Sequence, residues 1–291
     1  MHTKDTFSYT LNVGGQLLDL SEPQVMGILN VTPDSFYSES RRQTEQGIAQ
    51  RARQIVEEGG SIIDIGAYST RPGAQEVSQE EELARLRMAL AVVLREIPKT
   101  AVISIDTFRA DVAERITDEF GPVIVNDVSG GADPGMFAAV SRLGLPYILT
   151  HSPLGTLSAT SSPLNRPLPT EEFMPSVLLY LSQRIDSLLQ LGQKDIILDP
   201  GFGFGKSLDE NYELLAQLHA LHTFGLPLLV GTSRKSMIYR LLGTTPEEAL
   251  NGTTVLNALA IERGASILRV HDVSAAKEVI KIVRKCSSPS A

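Results

Sequence analysis

Short apolar runs recur along the chain, and each is followed by a turn rich in Gly, Asn, Asp or Thr and then by sequence with helical periodicity. This alternation predicts βα units on a parallel sheet, and the near-continuous hydrophobicity of the runs is typical of strands covered on both faces. Eight such runs occur, at residues 25–30, 61–65, 101–106, 122–126, 145–150, 195–199, 226–231 and 266–270. Eight repeats predict an α/β fold closed into a (β/α)8 barrel, the TIM barrel.

The length of 291 residues fits one such barrel, because α/β barrels of about 250 residues form single domains. No change in composition marks a boundary, so we predict one domain over residues 1–291, with the barrel at about 25–285. Residues 6–21 precede the barrel and alternate around Gly14 and Gly15. That pattern predicts a β-hairpin, which would lie at the N-terminal end of the barrel.

Two helix starts are predicted from side chains that favour the first turn. Thr44 is placed to cap the first barrel helix, whose apolar stripe includes Ile48 and Ile55. Pro246 is placed to open the long helix that ends near Gly264.

Composition limits the cellular compartments and the kinds of ligand that are compatible with the chain. Its single cysteine, Cys286, excludes an intrachain disulfide and a cysteine-rich metal cluster, which favours a reducing compartment. There is no basic leader followed by an apolar run and no apolar stretch long enough to cross a bilayer, so we expect a soluble cytoplasmic protein. The net charge of −8 argues against nucleic-acid binding, and an anionic ligand therefore needs cations gathered locally.

Polar residues stand where the predicted strands end, which is the active end of a barrel of this type. Carboxylates and amides there match the donor and acceptor edge of a fused, amide-like heterocycle. Taken alone, each Asp or Asn caps the next helix more often than it binds a ligand, by about two to one, but recurrence on four strand ends shifts that balance. The residues concerned are Asn30, Asp106, Asn126, Asp199 and Lys235, with Arg269 in the last strand and His271 after it.

Cationic side chains form a second set at the same predicted end of the barrel. Arg71, Lys235, Arg269 and His271 suit phosphate oxygens and would gather the positive charge that an acidic protein needs for an anion. For Arg71 and Lys235, a solvated loop charge is an equally good interpretation on spacing alone. The glycine-rich segment 201–205 lacks the spacing of a dinucleotide fingerprint, and it predicts close backbone approach to a flat ligand with Phe202 or Phe204 as an apolar wall.

An ordered set of motifs resembles the dihydropteroate synthase family over roughly residues 25–273. Two of them, GILNVTPDSF at 27–36 and GSIIDIGAYSTRPGA at 60–74, are similar to the pterin-binding signatures of that family. The others follow in the family's order: SIDT, VNDVSGG, LDPGFGFGK, SRKSM and RVHD. A set ordered in this way is highly specific.

The resemblance implies a role for each matching residue. The pterin ring would be held by Asp106, Asn126, Asp199, Gly231 and Lys235. The diphosphate would be bound by Asn30, Thr70, Arg71, Arg269 and His271, with Asn30 also helping to hold Mg²⁺. The aminobenzoate pocket would be formed by Phe36, Arg71, Pro72, Phe204, Ser233 and Lys235.

The resemblance also implies an activity. Members of the family condense 6-hydroxymethyl-7,8-dihydropterin diphosphate with 4-aminobenzoate, giving 7,8-dihydropteroate and diphosphate in folate biosynthesis. They are transferases, targets of sulfonamides and homodimers. Two alternatives remain at this point: a pterin-dependent methyltransferase, which shares the barrel and the strand-end Asp and Asn residues, and a pterin-binding module without catalysis.

Two departures from the family pattern affect the implied pockets. Thr150 stands where the family commonly has Met, which predicts a looser apolar wall beside the pterin. Ser38, Glu39 and Ser40 replace the usual Asp-Gly-Gly of the first loop, so an acidic role at Ser38 does not carry over.

Overall fold

The computed structural model describes residues 8–31, 40–68, 77–152 and 170–287. Within them, a hairpin of β1 (Thr10–Val13) and β2 (Gln16–Asp19) precedes an eight-stranded parallel sheet whose strands overlap the predicted runs one for one. These strands are β3 (Gln24–Asn30), β4 (Ile62–Gly66), β5 (Val102–Asp106), β6 (Ile124–Asp127), β7 (Tyr147–Thr150), β8 (Ile196–Asp199), β9 (Leu229–Val230) and β10 (Ile267–Val270).

The sheet curls into a nearly closed barrel. Its strands are hydrogen-bonded in the order β8, β7, β6, β5, β4, β3, β10, β9. The two edges meet through a parallel bridge between Leu198 and Leu228, where the Leu198 amide donates to the carbonyl of Pro227 at 2.9 Å. The predicted (β/α)8 barrel with an N-terminal hairpin is confirmed.

Helices cover the outside of the barrel. In the described residues they are α1 (Ser40–Glu57), α2 (Gln79–Glu96), α3 (Ala110–Phe120), α4 (Met136–Leu143), α5 (Thr170–Gln190), α6 (Leu208–Ala216), α7 (Ser236–Leu242), α8 (Leu250–Glu262), α9 (Val273–Ser287) and a 3-10 helix, Leu218–Phe224. None of the helices in the described residues is long and apolar enough to span a membrane.

Both helix-start predictions were wrong by about one turn. Thr44 lies inside α1, which already begins at Ser40, and Pro246 lies in a turn before α8, which begins at Leu250. The apolar stripe marks only the part of a helix that packs on the sheet. The hydrogen-bonded helix can begin before that stripe or after the predicted first residue, because its polar ends leave no such pattern. Ser207 caps α6 in a capping box with Glu210.

Alternate residues of each strand face opposite sides of the sheet. The outward set packs beneath the helices, and the inward set changes character along the barrel. Near the N-terminal ends of the strands the inward residues are apolar and form one cluster with the hairpin; they are Met26, Ile62, Val102, Ile124, Ile148, Ile197, Leu229 and Ile267.

The hairpin closes this apolar end of the barrel. Leu11, Leu18 and Leu20 are buried in the same cluster, and each contributes about 1.5–3 kcal/mol by leaving water. Gly14 makes the hairpin turn with a positive φ of 60°, and a Cβ there would lie 2.3 Å from Cγ of Pro122. Only glycine fits this approach, so turn chemistry and barrel packing require the same residue.

Candidate active site

Arg269 stands at the centre of a buried charge network at the C-terminal end of the barrel. Its Nε lies 2.7 Å and a terminal nitrogen 2.6 Å from Oδ2 of Asp64, and that terminal nitrogen lies 2.9 Å from Oδ2 of Asp106. One guanidinium therefore joins carboxylates of β4 and β5 from β10, which is the convergence from separate strands that the sequence predicted.

Asp64 is a member of this site that the sequence analysis did not single out. Its carboxylate is fully buried and also accepts from Ser104 Oγ at 2.7 Å and from Asn126 Nδ2 at 3.2 Å. The signal was present, because an acidic residue in the otherwise apolar strand sequence IIDIG must find buried partners.

A second group surrounds Lys235, which follows β9. Its ammonium donates to the carbonyl of Phe202 at 2.5 Å and lies 4.8 Å from the ring centroid of Phe204, within cation–π range. Asp199 lies close enough to interact electrostatically with Lys235, and its Oδ1 accepts from the Gly201 amide at 2.8 Å. Phe202 is buried in the outer core, so of the two predicted aromatic walls Phe204 is the one beside the site.

Burial shifts the pKa values of these groups toward neutral pH. It raises the pKa of Asp106 to about 7, a shift that Arg269 opposes and Asp64 reinforces. It also raises the pKa of Asp199, against the charge of Lys235, and lowers the pKa of Lys235 to about 8, against the charge of Asp199. Asp106 and Lys235 therefore change between hydrogen-bond donor and acceptor forms near neutral pH, which suits recognition of an amide-like ring.

A third group links the strand ends of β9 and β10. Ser233 Oγ lies 3.0 Å from Nδ1 of His271 and accepts from the His271 backbone amide at 3.1 Å. Arg51, from α1, donates to the His271 carbonyl at 2.5 Å and to the carbonyl of Ile28 at 3.2 Å. Arg51 was not predicted from the sequence, because it contributes from a helix rather than from a strand end.

The remaining predicted residues have the following places. A Cβ on Gly66 would lie 3.3 Å from Oδ1 of Asn30 and 3.8 Å from Oδ2 of Asp106, so these two side chains flank the same point of the rim. Gly231 lies beside Arg269, whose Cβ would be 3.7 Å from a Cβ placed on that glycine. Four predicted residues and two of the departing loop residues lie outside the described residues: Phe36, Thr70, Arg71, Pro72, Ser38 and Glu39.

Two of the buried polar atoms that have no hydrogen-bond partner among the described residues belong to inward-facing strand residues at the polar end of the barrel. They are Oδ1 of Asn126 and Oγ1 of Thr150, on the inward positions of β6 and β7. Thr150 pairs in register with Asp199. Buried polar atoms without a partner are costly, and a polar ligand is one means of satisfying them.

Lys206 is a further buried cation that the sequence analysis did not single out. Its ammonium donates to the carbonyls of Gly201 at 2.7 Å, His151 at 3.2 Å and Phe204 at 3.2 Å. Burial lowers its pKa to about 7. Lys206 therefore fixes the glycine-rich loop by backbone contacts.

The barrel and its converging polar end define a ligand-binding barrel enzyme, and the sequence profile of the family described as "Pterin binding enzyme" matches residues 26–271. The chain is 40% identical to dihydropteroate synthase of Escherichia coli K12 over 271 residues, covering 92% of this chain and 93% of that protein. It therefore belongs to the dihydropteroate synthase family and is a transferase of folate biosynthesis.

Solved structures agree with this membership. The crystal structure of Yersinia pestis dihydropteroate synthase with a sulfonamide drug superposes with a TM-score of 0.84 at 38% identity, over 97% of this chain and 100% of that chain. The Xanthomonas albilineans dihydropteroate synthase with 4-aminobenzoic acid gives a TM-score of 0.85 at 36% identity, over 97% and 99%. These relatives lend no support to the methyltransferase or to a module without catalysis.

Proposed function

We propose that the C-terminal end of the barrel condenses 6-hydroxymethyl-7,8-dihydropterin diphosphate with 4-aminobenzoate, giving 7,8-dihydropteroate and diphosphate, by dividing the substrates among three groups of side chains. One observation carries the assignment of residues: Asp106, Asp199, Lys235 and Arg269 come from four strands and interact at one rim. Had these side chains faced separate regions, no single ligand could contact them all.

The pterin ring is assigned to Asp106, Asn126, Asp199 and Lys235, with Gly231 leaving room. The carboxylates accept from ring and exocyclic N–H groups, and the amide of Asn126 supplies an acceptor that has no other partner among the described residues. Burial of this set strengthens each hydrogen bond to a ligand.

The diphosphate is assigned to Asn30, Arg269 and His271, together with Thr70 and Arg71. In the reaction, the bond between the pterin methylene carbon and the diphosphate oxygen breaks, and its electron pair leaves with the diphosphate. The amine nitrogen of 4-aminobenzoate forms the new bond to that carbon and loses a proton. Cations at the rim stabilise the charge on the leaving group, so no covalent intermediate with the protein is needed.

Asn30 fits a magnesium site in which the protein supplies few of the metal ligands. Mg²⁺ keeps several waters and binds proteins through few oxygens together with substrate phosphates. Asn30 places an amide oxygen at the rim beside Asp106, and the described residues hold no cluster of three His, Cys, Asp or Glu that would form a complete cage. Mg²⁺ held by Asn30 would supply charge neutralisation to the diphosphate.

The aminobenzoate pocket is assigned to Phe204, Ser233 and Lys235, together with Phe36, Arg71 and Pro72. Phe204 offers a flat apolar face beside the ammonium of Lys235, a combination suited to an aromatic ring that carries a carboxylate. A sulfonamide shaped like this substrate would compete for the same pocket.

Release of diphosphate on mixing the two substrates with Mg²⁺ tests the proposal. We expect release in the wild type, inhibition by a sulfonamide that increasing 4-aminobenzoate overcomes, and loss in Lys235→Ala and Asp106→Ala. Full turnover in either variant would refute the role of that residue. Binding without release would restore the alternative of a non-catalytic module.

We propose in addition a homodimer in the cytoplasm. Leu241, Leu242 and Val255 on α7 and α8 are more than half exposed, and exposed apolar side chains on adjacent helices favour association. Cys286 is free and exposed, which fits a reducing compartment. Analytical ultracentrifugation is expected to give twice the monomer mass, and Leu241→Glu with Val255→Glu to give the monomer.

A further inference from the structure

We propose that Arg234 is a positioning residue, which holds Ser233 and Lys235 in the site through an ion pair with Asp272. The inference rests on the function proposed above. Arg234 lies in the turn between β9 and α7, and Asp272 directly follows His271 after β10. Neither residue was assigned a role in the substrate pockets.

The backbone of Arg234 is unusual. Its φ of 54° places it in the left-handed region, and no other described residue except glycine has a positive φ. L side chains rarely adopt this conformation, so the surrounding contacts must impose it. The reversal it produces directs both neighbours into the site: Ser233 toward His271 and Lys235 toward the carbonyl of Phe202.

Five hydrogen bonds impose that conformation. The guanidinium forms a bidentate pair with Asp272, with Nε at 2.9 Å and a terminal nitrogen at 2.8 Å from the two carboxylate oxygens. Its other terminal nitrogen donates to the carbonyls of Pro246 at 3.1 Å and Glu247 at 2.8 Å. The Arg234 amide donates to Oγ1 of Thr253 at 3.0 Å. Lysine cannot replace this planar fork.

The ion pair also joins two turns that belong to different pockets. The turn after β9 carries Ser233 and Lys235, and the turn after β10 carries His271. Two contacts connect them in parallel, from Ser233 to His271 and from Arg234 to Asp272. The hydrogen bonds from Arg234 hold the pKa of Asp272 below its usual range, so the pair stays charged at neutral pH.

Comparison of Arg234→Gly with Arg234→Ala separates positioning from general stability. Both variants lose the ion pair, but only glycine adopts a φ of 54° without strain. We expect the glycine variant to unfold at a higher denaturant concentration than the alanine variant, while both lose about tenfold or more in kcat/KM for diphosphate release. Asp272→Asn, which keeps one acceptor oxygen, is expected to lose less than Asp272→Ala.

The pH profile supplies a readout that lost stability would not move. The low pKa of Lys235 comes from its burial and from Arg269, and is opposed by Asp199 and Asp106. When Lys235 leaves this position its pKa returns toward that of a solvated lysine, so the alkaline limb of kcat/KM shifts to higher pH in Arg234→Gly. Arg142→Ala, which removes an exposed ion pair with Glu114 on outer helices, is the matched control and is expected to leave rate and limb unchanged.

Wild-type kcat/KM together with an unshifted alkaline limb in Arg234→Gly would overturn the proposal. The proposal would also be overturned if the loss of kcat/KM in the glycine and alanine variants were proportional to the decrease in their unfolding midpoints. If the wild type releases no diphosphate, the proposed function fails instead. Calorimetric affinity for 7,8-dihydropteroate then decides the role of Arg234, with about a tenfold weakening expected in the glycine variant and unchanged affinity overturning it.

Discussion

The two ends of the barrel use the same strands for opposite purposes. At the N-terminal end, inward residues such as Met26 and Ile62 form an apolar cluster with the hairpin. At the C-terminal end, inward positions two residues further along the strands carry Asp64 and Arg269. Burial of apolar side chains stabilises the fold, whereas burial of charges costs free energy unless they are paired. Apolar packing and the candidate site therefore occupy opposite ends of the barrel.

The largest loss of stability and activity is expected from a substitution at the polar end of the barrel. Arg269→Met leaves Asp64 and Asp106 buried without their cation, which should lower the free energy of unfolding by about 3–5 kcal/mol. Diphosphate release should fall by about a hundredfold or more. Urea unfolding and the release assay measure the two quantities. Adding Asp64→Asn to Arg269→Met should recover part of the stability, and strictly additive losses would show that the two residues are not coupled.

The apolar end should lose stability without losing chemistry. Leu11→Ala removes a buried side chain of the hairpin and is expected to lower the free energy of unfolding by about 2–4 kcal/mol. The kcat of the folded variant should equal that of the wild type below its unfolding transition. A lower kcat in fully folded protein would break the separation between the two ends.

The pH dependence of stability provides a second test of this difference, because the strongly raised pKa of Asp106 belongs to the polar end. In the folded protein Asp106 keeps its proton up to a pKa of about 7, whereas an unfolded Asp loses it near about 3.9. Between these values the folded state binds more protons, so the free energy of unfolding falls as pH rises. We expect Asp106→Asn to remove about 2–4 kcal/mol of that fall between pH 4 and 7.

Urea unfolding at a series of pH values measures this effect, and Leu11→Ala provides the control. Its stability curve should run parallel to that of the wild type, since Leu11 lies in the apolar cluster at the opposite end of the barrel from Asp106. A curve for Asp106→Asn parallel to the wild type would contradict the raised pKa of Asp106.

The smallest change in stability and activity is expected from a substitution on the outer helices, away from both ends of the barrel. Arg87 on α2 lies 2.7 Å from Glu119 on α3, where both side chains are exposed to solvent. Surface ion pairs of this kind contribute little. Arg87→Ala should change neither the urea midpoint nor diphosphate release by a measurable amount, and a clear change in release would extend the functional region to the outer helices.

The sequence predicted the strand-end residues of the site better than the residues that support them. Asp106 and Asp199 end apolar runs and Lys235 follows one, and strand ends of a barrel lie at one face, so the sequence predicts that the three residues lie together. Asp64, Lys206 and Arg234 were missed as individual residues, although each lies within a motif that was noticed. Their roles depend on partners 40 or more residues away in several cases, and local spacing carries no information about such partners.

Local periodicity and turn chemistry specify the eight-fold alternation of strand and helix, the hairpin turn at Gly14 and the strand ends that carry polar groups. The pairing of charged side chains depends instead on how the strands pack in three dimensions. The curled sheet brings Arg269 of β10 within hydrogen-bond distance of carboxylates on β4 and β5, and buried charges are stable only when they are paired in this way. The left-handed turn at Arg234 depends on tertiary contacts with Asp272 and Thr253.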